Sequence, residues 1–349
     1  MLLSRFDSED IHFTRWLMQV RRTLPYVFSI LLLPAIVGAQ TPTIGLITKT
    51  ETNPYFVMMK KGAESAAKAN GARLLSGAGR NDGDNAGQVA AIENMIAAGA
   101  KVIMITPSDA KAIVPAIKRA KAKGILVITL DSPSDPVDAA DALFATDNYR
   151  AGTLIGQYAR AALKGKPARI ATLDLIPGHP VGAQRHNGFL KGFGLAAPDR
   201  NVNTLGKPAE VVCMADSYGD QSRGQTAMEN CLQKNPDINV VYTINEPTAA
   251  GAYKALTSRR REKDVVLVSV DGGCQGVRDV ASGHIAATAQ QYPMKMAEMG
   301  VSAAMTFIRT GKKPSGYTDT GVALIAARPL AGVQSRDVKT GLDLCFGRK

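Results

Sequence analysis

From Thr43 onward this chain repeats one pattern, and the repeat limits the folds open to it. A short apolar run of strand length gives way, through a loop, to a longer stretch with apolar residues at helical spacing. The run at 101–106, KVIMIT, is apolar at successive positions, as in a parallel strand buried on both faces. The stretch 85–98 carries Val89, Ile92, Met95 and Ile96 on one helical stripe. Parallel strands need crossover helices between them, so sustained alternation predicts an α/β fold of doubly wound sheets.

Two such units are expected. The first has strands at 44–48, 73–76, 101–106, 125–130 and 143–145, with helices at 54–70, 85–98 and 110–123. The second has helices at 150–163, 182–193, 221–233 and 248–257, with strands at 169–173, 209–214, 240–243 and 265–270. What remains is a helix at 275–281, a strand at 285–289, a long helix at 294–309 and a strand at 321–326. These are too few for a third domain. They serve as returns between two lobes, giving a multi-strand hinge. The expected division is 40–147 with 292–320 in one lobe, and 148–291 with 321–349 in the other.

The first 39 residues stand apart. Arg21 and Arg22 precede an apolar run from Val27 to Val37, and Val37, Gly38 and Ala39 form a small-residue cleavage signal, the layout of a secretory signal peptide. The run is too short to span a bilayer. Asp7, Glu9 and Asp10 are out of place in a leader, so Met18 is a candidate start. The residues around the arginine pair fit a twin-arginine signal poorly, which favours ordinary secretion, and no cysteine marks a lipid anchor. The expected location is the periplasm.

That compartment is oxidising, and Cys213, Cys231, Cys274 and Cys345 all fall in the second half. Cys213 ends a strand and Cys231 lies late in the next helix, which returns antiparallel alongside it. Cys345 sits in a tail short of apolar residues. The expected disulfides are Cys213 with Cys231 and Cys274 with Cys345, the second stapling the tail beside the hinge; four buried thiols are the alternative. The scattered histidines complete no metal site. The formal net charge is +12, and the leader's four basic and three acidic residues leave the remainder near +11. The basic residues are spread along helices such as 111–123 rather than massed with aromatics, which argues against nucleic acid as a partner.

Polar residues collect where strands end. Asn53, Tyr55 and Phe56 follow the first strand, with Asn53 as an N-cap and Pro54 at the first helical position. Asp131 ends ITLD, Arg185 lies in the helix after the His179 loop, and Tyr218 follows Asp216. Asn245 ends VYTIN, Asp271 ends VSVD, and Gln291 ends ATAQQ. Open parallel sheets bind ligands at these carboxyl ends. Carboxylates, amides and a guanidinium beside aromatic rings suit a neutral polyhydroxylated ring, because they bridge vicinal hydroxyls while ring faces cover C–H patches. Glycines 77, 79 and 83 are spaced one residue too widely for a dinucleotide loop, and there is no phosphate loop, G-x-S-x-G elbow or H-E-x-x-H. Neither a cofactor nor catalysis is expected.

On these motifs the chain resembles the periplasmic binding proteins of monosaccharide ABC transporters, the ribose-binding type. TNPYF is similar to the family's NNPFF, ITLD to ITLDR, ATDN to ASDN, VYTINEPTAAGA to FAQNDEMALGA, and VSVDGG to VGFDGT. DGGCQGV, QQYP and TGLDLCFG resemble fructose-binding members. The resemblance covers 43–327 and implies two type I lobes, a ketose or related sugar, a permease partner with a chemoreceptor as a second, and a monomer. It places Asn53, Tyr55, Phe56, Asp131, Arg185, Asn245, Asp271 and Gln291 at ligand-binding positions, and Tyr218 only with a one-residue insertion. Lys49 is expected among the ligand-binding residues too, standing where the family has a small polar residue, and Ser132 replaces an Arg, so ribose itself is a poor fit. A regulator of the lactose-repressor type has a similar core but needs an N-terminal DNA-binding domain, where this chain has an apolar leader. A sugar-active enzyme is the third reading.

Overall fold

The computed structural model describes residues 41–347. The leader expected at 1–39, the alternative start at Met18 and the last two residues of the tail lie outside the described residues. In chain order the first elements are β1 (Thr43–Thr48), α1 (Pro54–Ala69), β2 (Arg73–Ala78), α2 (Asn85–Ala97), β3 (Val102–Ile105), α3 (Val114–Ala122), β4 (Leu126–Leu130) and β5 (Ala142–Ala145). Next come α4 (Asn148–Ala162), β6 (Ile170–Asp174), α5 (Pro180–Phe193), β7 (Val211–Asp216), α6 (Gln221–Lys234), β8 (Val240–Thr243), α7 (Glu246–Ser258), β9 (Val266–Asp271) and α8 (Cys274–Ser282). The last are β10 (Ala287–Gln290), α9 (Pro293–Thr310), β11 (Gly316–Asp319), β12 (Ala323–Ala326) and α10 (Val338–Leu344).

The strands form two six-stranded sheets, ordered β11-β5-β4-β3-β1-β2 and β12-β10-β9-β8-β6-β7. Every pairing is parallel except β10 with β12. In each sheet the winding reverses direction, at β1/β3 and at β6/β8, and the carboxyl ends there open a crevice. The chain passes between the sheets after β5, after β10 and after β11. Pro54, Pro180 and Pro293 each open a helix just past a strand, where the missing amide costs no hydrogen bond.

Two differences from the sequence pattern have local causes. The helix expected from 110 begins at Val114, because Asp109 Oδ1 turns the chain by accepting from Lys111 N (2.9 Å) and Ala112 N (2.8 Å), and Pro115 has no amide to bond backwards. Strand β11 was not foreseen. Its sequence GYTD is mostly exposed and has no apolar run, and only pairing with the edge of β5 makes it a strand. The tail likewise forms α10, with Gly341 fitted against Ile325 and Val277.

Each sheet is buried by helices on both faces. Helices α4 and α5 pack backbone against backbone through glycines of both. A Cβ at Gly152 would lie 2.1 Å from the Arg185 carbonyl oxygen, and one at Gly188 would lie 2.1 Å from that of Tyr149. Glycine alone permits this approach, and the approach sets the helix from which Arg185 reaches the crevice.

Candidate functional site

The crevice gathers most of the residues expected to act together. Tyr55, in the first turn of α1, donates its hydroxyl to Asp131 Oδ1 at 2.9 Å, and that hydroxyl oxygen also lies 3.5 Å from Gln291 Oε1. Gln291 Nε2 donates to Asp271 Oδ1 at 2.8 Å. Asp271 pairs with Arg185 Nη1 at 3.7 Å, and Arg185 is aimed by Nε to Asn148 Oδ1 (2.7 Å) and Nη1 to the Ile244 carbonyl (2.9 Å). The result is a continuous polar chain from Asp131 of the first sheet to Arg185 of the second. All five residues are at most 5% exposed. Ser132, where the resemblance has an Arg, donates to Asp131 Oδ2 at 3.1 Å and so fixes the carboxylate.

The remaining expected residues take different positions. Asn53 caps α1 by accepting from Tyr55 N (3.0 Å) and lines a cleft of about 1300 Å³. Asn245 caps α7 through Thr248 N (3.0 Å) and also donates to the Gly219 carbonyl (3.0 Å). Tyr218 lies at the rim, 41% exposed, with the Arg223 guanidinium 4.2 Å from its ring centroid. Phe56 packs into the core with β1 and β4 and meets Tyr55 edge-on at 5.3 Å, so its ring backs that of Tyr55. The cysteines form two disulfides, Cys213–Cys231 and Cys274–Cys345.

Further contributors join them: Lys49, already among the expected residues, and His179, Asp82, Glu246 and Phe346 beyond that set. Lys49 Nζ meets His179 Nε2 at 3.2 Å, joining the end of β1 to the start of α5 across the crevice. Asp82 lines the cleft from the β2–α2 loop, and its Oδ1 is buried with no hydrogen-bond partner among the described residues. In the sequence that loop is marked by its glycines, yet Asp82 is also an acid just past a strand's carboxyl end. Glu246 accepts from Gly272 N (2.8 Å), Gly273 N (3.0 Å) and Thr288 Oγ1 (2.9 Å), and so shapes the turn after Asp271. Phe346 meets Tyr55 edge-on at 5.4 Å.

Burial dominates the electrostatics. It pushes Asp271 up to about 7 despite Arg185 and Gln291, and it raises Asp82 against the pull of Lys49. Burial also lowers Lys49, although Asp131 and Asp82 oppose this, and it holds His179 well below its usual value with help from Lys49. Asp131, Tyr218 and Asp271 have positive φ angles of 63°, 56° and 135°. Strained backbone is retained where the fold over-determines it, and these three positions lie at or just past strand ends at the crevice; Lys164 and Arg260, the other two such non-glycine residues among those described, follow helices elsewhere. Three carboxylates, an amine and a guanidinium lie close together, with donors and acceptors spread over a small volume. That set suits vicinal hydroxyls. Among the described residues no group of three or more His, Cys, Asp or Glu could hold a metal ion.

Two parallel lobes with a polar, aromatic-edged crevice between their strand ends define a class of closing, ligand-capturing proteins, and comparison with known proteins narrows it. Residues 44–313 match the periplasmic binding protein domain. The ribose import binding protein of Bacillus subtilis (strain 168) is 31% identical over 271 residues, covering 78% of this chain and 83% of that protein. Its counterpart in Salmonella typhimurium is 31% identical over 299 residues, covering 85% and 96%. A solved ABC transporter solute binding protein from Actinobacillus succinogenes, with bound D-allose, superposes with a TM-score of 0.72 at 27% identity, covering 82% of this chain and 98% of that one. The chain belongs to the periplasmic binding protein family, among the monosaccharide-binding proteins of ABC transporters. It is a binding protein rather than an enzyme.

Proposed function

We propose that this protein captures a monosaccharide, a ketose of the fructose type, between its lobes and delivers it to an ABC permease from the periplasm, acting as a monomer. The same closed form would serve a chemoreceptor as a second partner. The observation that carries this reading is the polar chain Asp131–Tyr55–Gln291–Asp271–Arg185, buried at the carboxyl ends of both sheets. Lys49, Asn53, Asn245 and Asp82 add contacts around it, Tyr218 edges the rim, and Phe56 backs the Tyr55 ring. Long Lys49 and short Ser132 replace the resemblance's small residue and Arg, which redistributes donors and supports a sugar other than ribose. The moving bodies in this proposal are 40–147 with 292–320, and 148–291 with 321–349. No helix among the described residues is long and apolar enough to cross a membrane.

A thermal-shift screen with D-fructose, D-ribose, D-allose and myo-inositol, followed by calorimetry, tests the proposal. Ligand at 100 times its dissociation constant adds about 2.7 kcal/mol to the folded state, enough to move the melting temperature by several degrees. D-fructose is expected to give the largest shift at one site per chain and to be recovered unchanged. A larger shift with D-ribose or D-allose would remove the ketose assignment and keep the sugar site. No shift with any of them at millimolar concentration would remove both.

A further inference from the structure

Phe346 belongs by its chain connections to the second lobe and by its packing to the first. The tail that carries it is fastened to the second sheet at several points. Arg336 N donates to the Leu324 carbonyl (2.8 Å), and Ala326 N donates back to Arg336 (3.1 Å). Gln290 Nε2 donates to the Gly341 carbonyl at 2.9 Å. Cys345, the residue before Phe346, is bonded to Cys274 at the start of α8, and Cys274 N donates to the Phe346 carbonyl at 2.8 Å. The backbone at Phe346 is therefore held beside Gly273, with which it forms a parallel bridge. Its ring, 6% exposed, lies in the core cluster of the first sheet, edge-on to Tyr55 at 5.4 Å and 85°, and it lines the cleft. Tyr55 is thus flanked by Phe56 of its own helix and by Phe346 from across the crevice.

We propose that Phe346 is an affinity-determining positioning residue of the cleft, delivered by the C-terminal tail and kept in place by the Cys274–Cys345 disulfide. This rests on the sugar-site reading above. Phe346 acts through Tyr55. An edge-on ring on the far side of Tyr55 fixes the plane in which its hydroxyl meets Asp131, and the contact exists only while the lobes are together. Opening must separate the two rings or pull the tail from its anchors. The tail therefore adds a contact between the lobes that favours the closed form, and with it slower ligand release. The staple matters because the residue it bonds is adjacent to the one that does the packing.

The test uses the full exported chain and whichever of D-fructose, D-ribose and D-allose binds most tightly. Phe346→Ala should weaken binding by about fivefold, mostly through faster dissociation, and Phe346→Tyr, which keeps the ring, should restore it. Cys274→Ser with Cys345→Ser should weaken binding by a similar factor, whereas Cys213→Ser with Cys231→Ser should not change it. Combining the Cys274/Cys345 change with Phe346→Ala should add no further loss, because the staple works through the ring. Unchanged affinity in Phe346→Ala, or a full additional loss in the combined variant, overturns the proposal while leaving the sugar site intact. Small-angle scattering without sugar decides the matter even if the parent protein binds none of the three. A larger radius of gyration in Phe346→Ala and in the Cys274/Cys345 variant supports the inter-lobe contact, and superimposable curves for parent and variants overturn it.

Discussion

The two lobes share a winding order but hold their site residues differently. In the first, Lys49, Asp82 and Asp131 lie on loops at strand ends, and Tyr55 sits in the first turn of α1. In the second, Arg185 projects from the middle of the buried helix α5, locked against α4 by backbone-to-backbone contact at Gly152 and Gly188. Both disulfides also lie in the second. One lobe thus presents its groups from loops and a first helical turn, and the other a guanidinium from a helix locked by its neighbour. A rigid anchor lowers the ordering cost of binding, and loops on the opposing face can adapt as the lobes close.

The largest expected effect tests that rigidity. Gly188→Ala puts a methyl group onto the Tyr149 carbonyl and should cost about 3 kcal/mol of stability in chemical denaturation. The matching change in the first lobe, Gly62→Ala, meets the Met294 backbone at 2.9 Å, a milder overlap than the 2.1 Å at Gly188. Both glycines lie inside helices and gain the same propensity from Ala, so the milder overlap at Gly62 sets a smaller net cost of about 1 kcal/mol. Equal losses would mean that the α4–α5 contact is no stiffer than its counterpart and would break the comparison.

A smaller effect separates the lobes by affinity. Removing the charge at Arg185 or Asp271 by substitution with Ala should lose roughly 1.5 to 3 kcal/mol, hence about ten- to a hundredfold in calorimetric affinity for the sugar. Tyr55→Phe removes only a neutral hydroxyl from Asp131 and should cost about fivefold. A Tyr55 effect as large as that of Arg185 would shift the anchor to the first lobe.

The smallest effect concerns protons. With Asp271 pushed up to about 7 by burial, the empty folded protein binds more protons than the unfolded chain between about pH 4 and 7. This group's contribution to stability therefore falls as pH rises through that window. Sugar hydroxyls donating to the carboxylate favour its ionised form, so binding near pH 6.5 should release a fraction of a proton, and affinity should fall as the solution is acidified. Calorimetry in buffers of different ionisation enthalpy measures the release. Proton uptake, or none in the parent and an unchanged value in Asp271→Asn, would show that this carboxylate does not meet the ligand.

Much of the architecture is written locally. Continuous apolar runs specify strands buried on two faces, helical stripes specify their crossovers, and Asn53-Pro54 or His179-Pro180 mark helix starts, because capping depends on residues a few positions apart. Those patterns are enough for two doubly wound sheets and for the rule that polar residues at strand ends face a common crevice. Other features depend on neighbours that no local pattern contains. GYTD becomes β11 only because β5 offers an unpaired edge. Phe56 turns into the core while its neighbour Tyr55 reaches the cleft, since successive residues on a helix point about 100° apart. Lys49 meets His179 130 residues away, and Asp82 comes to face Gly219 of the opposite lobe. Phe346 comes to lie against Tyr55 by way of a disulfide and a helix that its own sequence barely supports. By itself, then, the sequence determined the elements, their alternation and the chemical character of the strand ends. Which of those ends meet, in what protonation state, and what closes over them was decided only by tertiary structure, because burial and long-range contact arise when separate stretches share one volume.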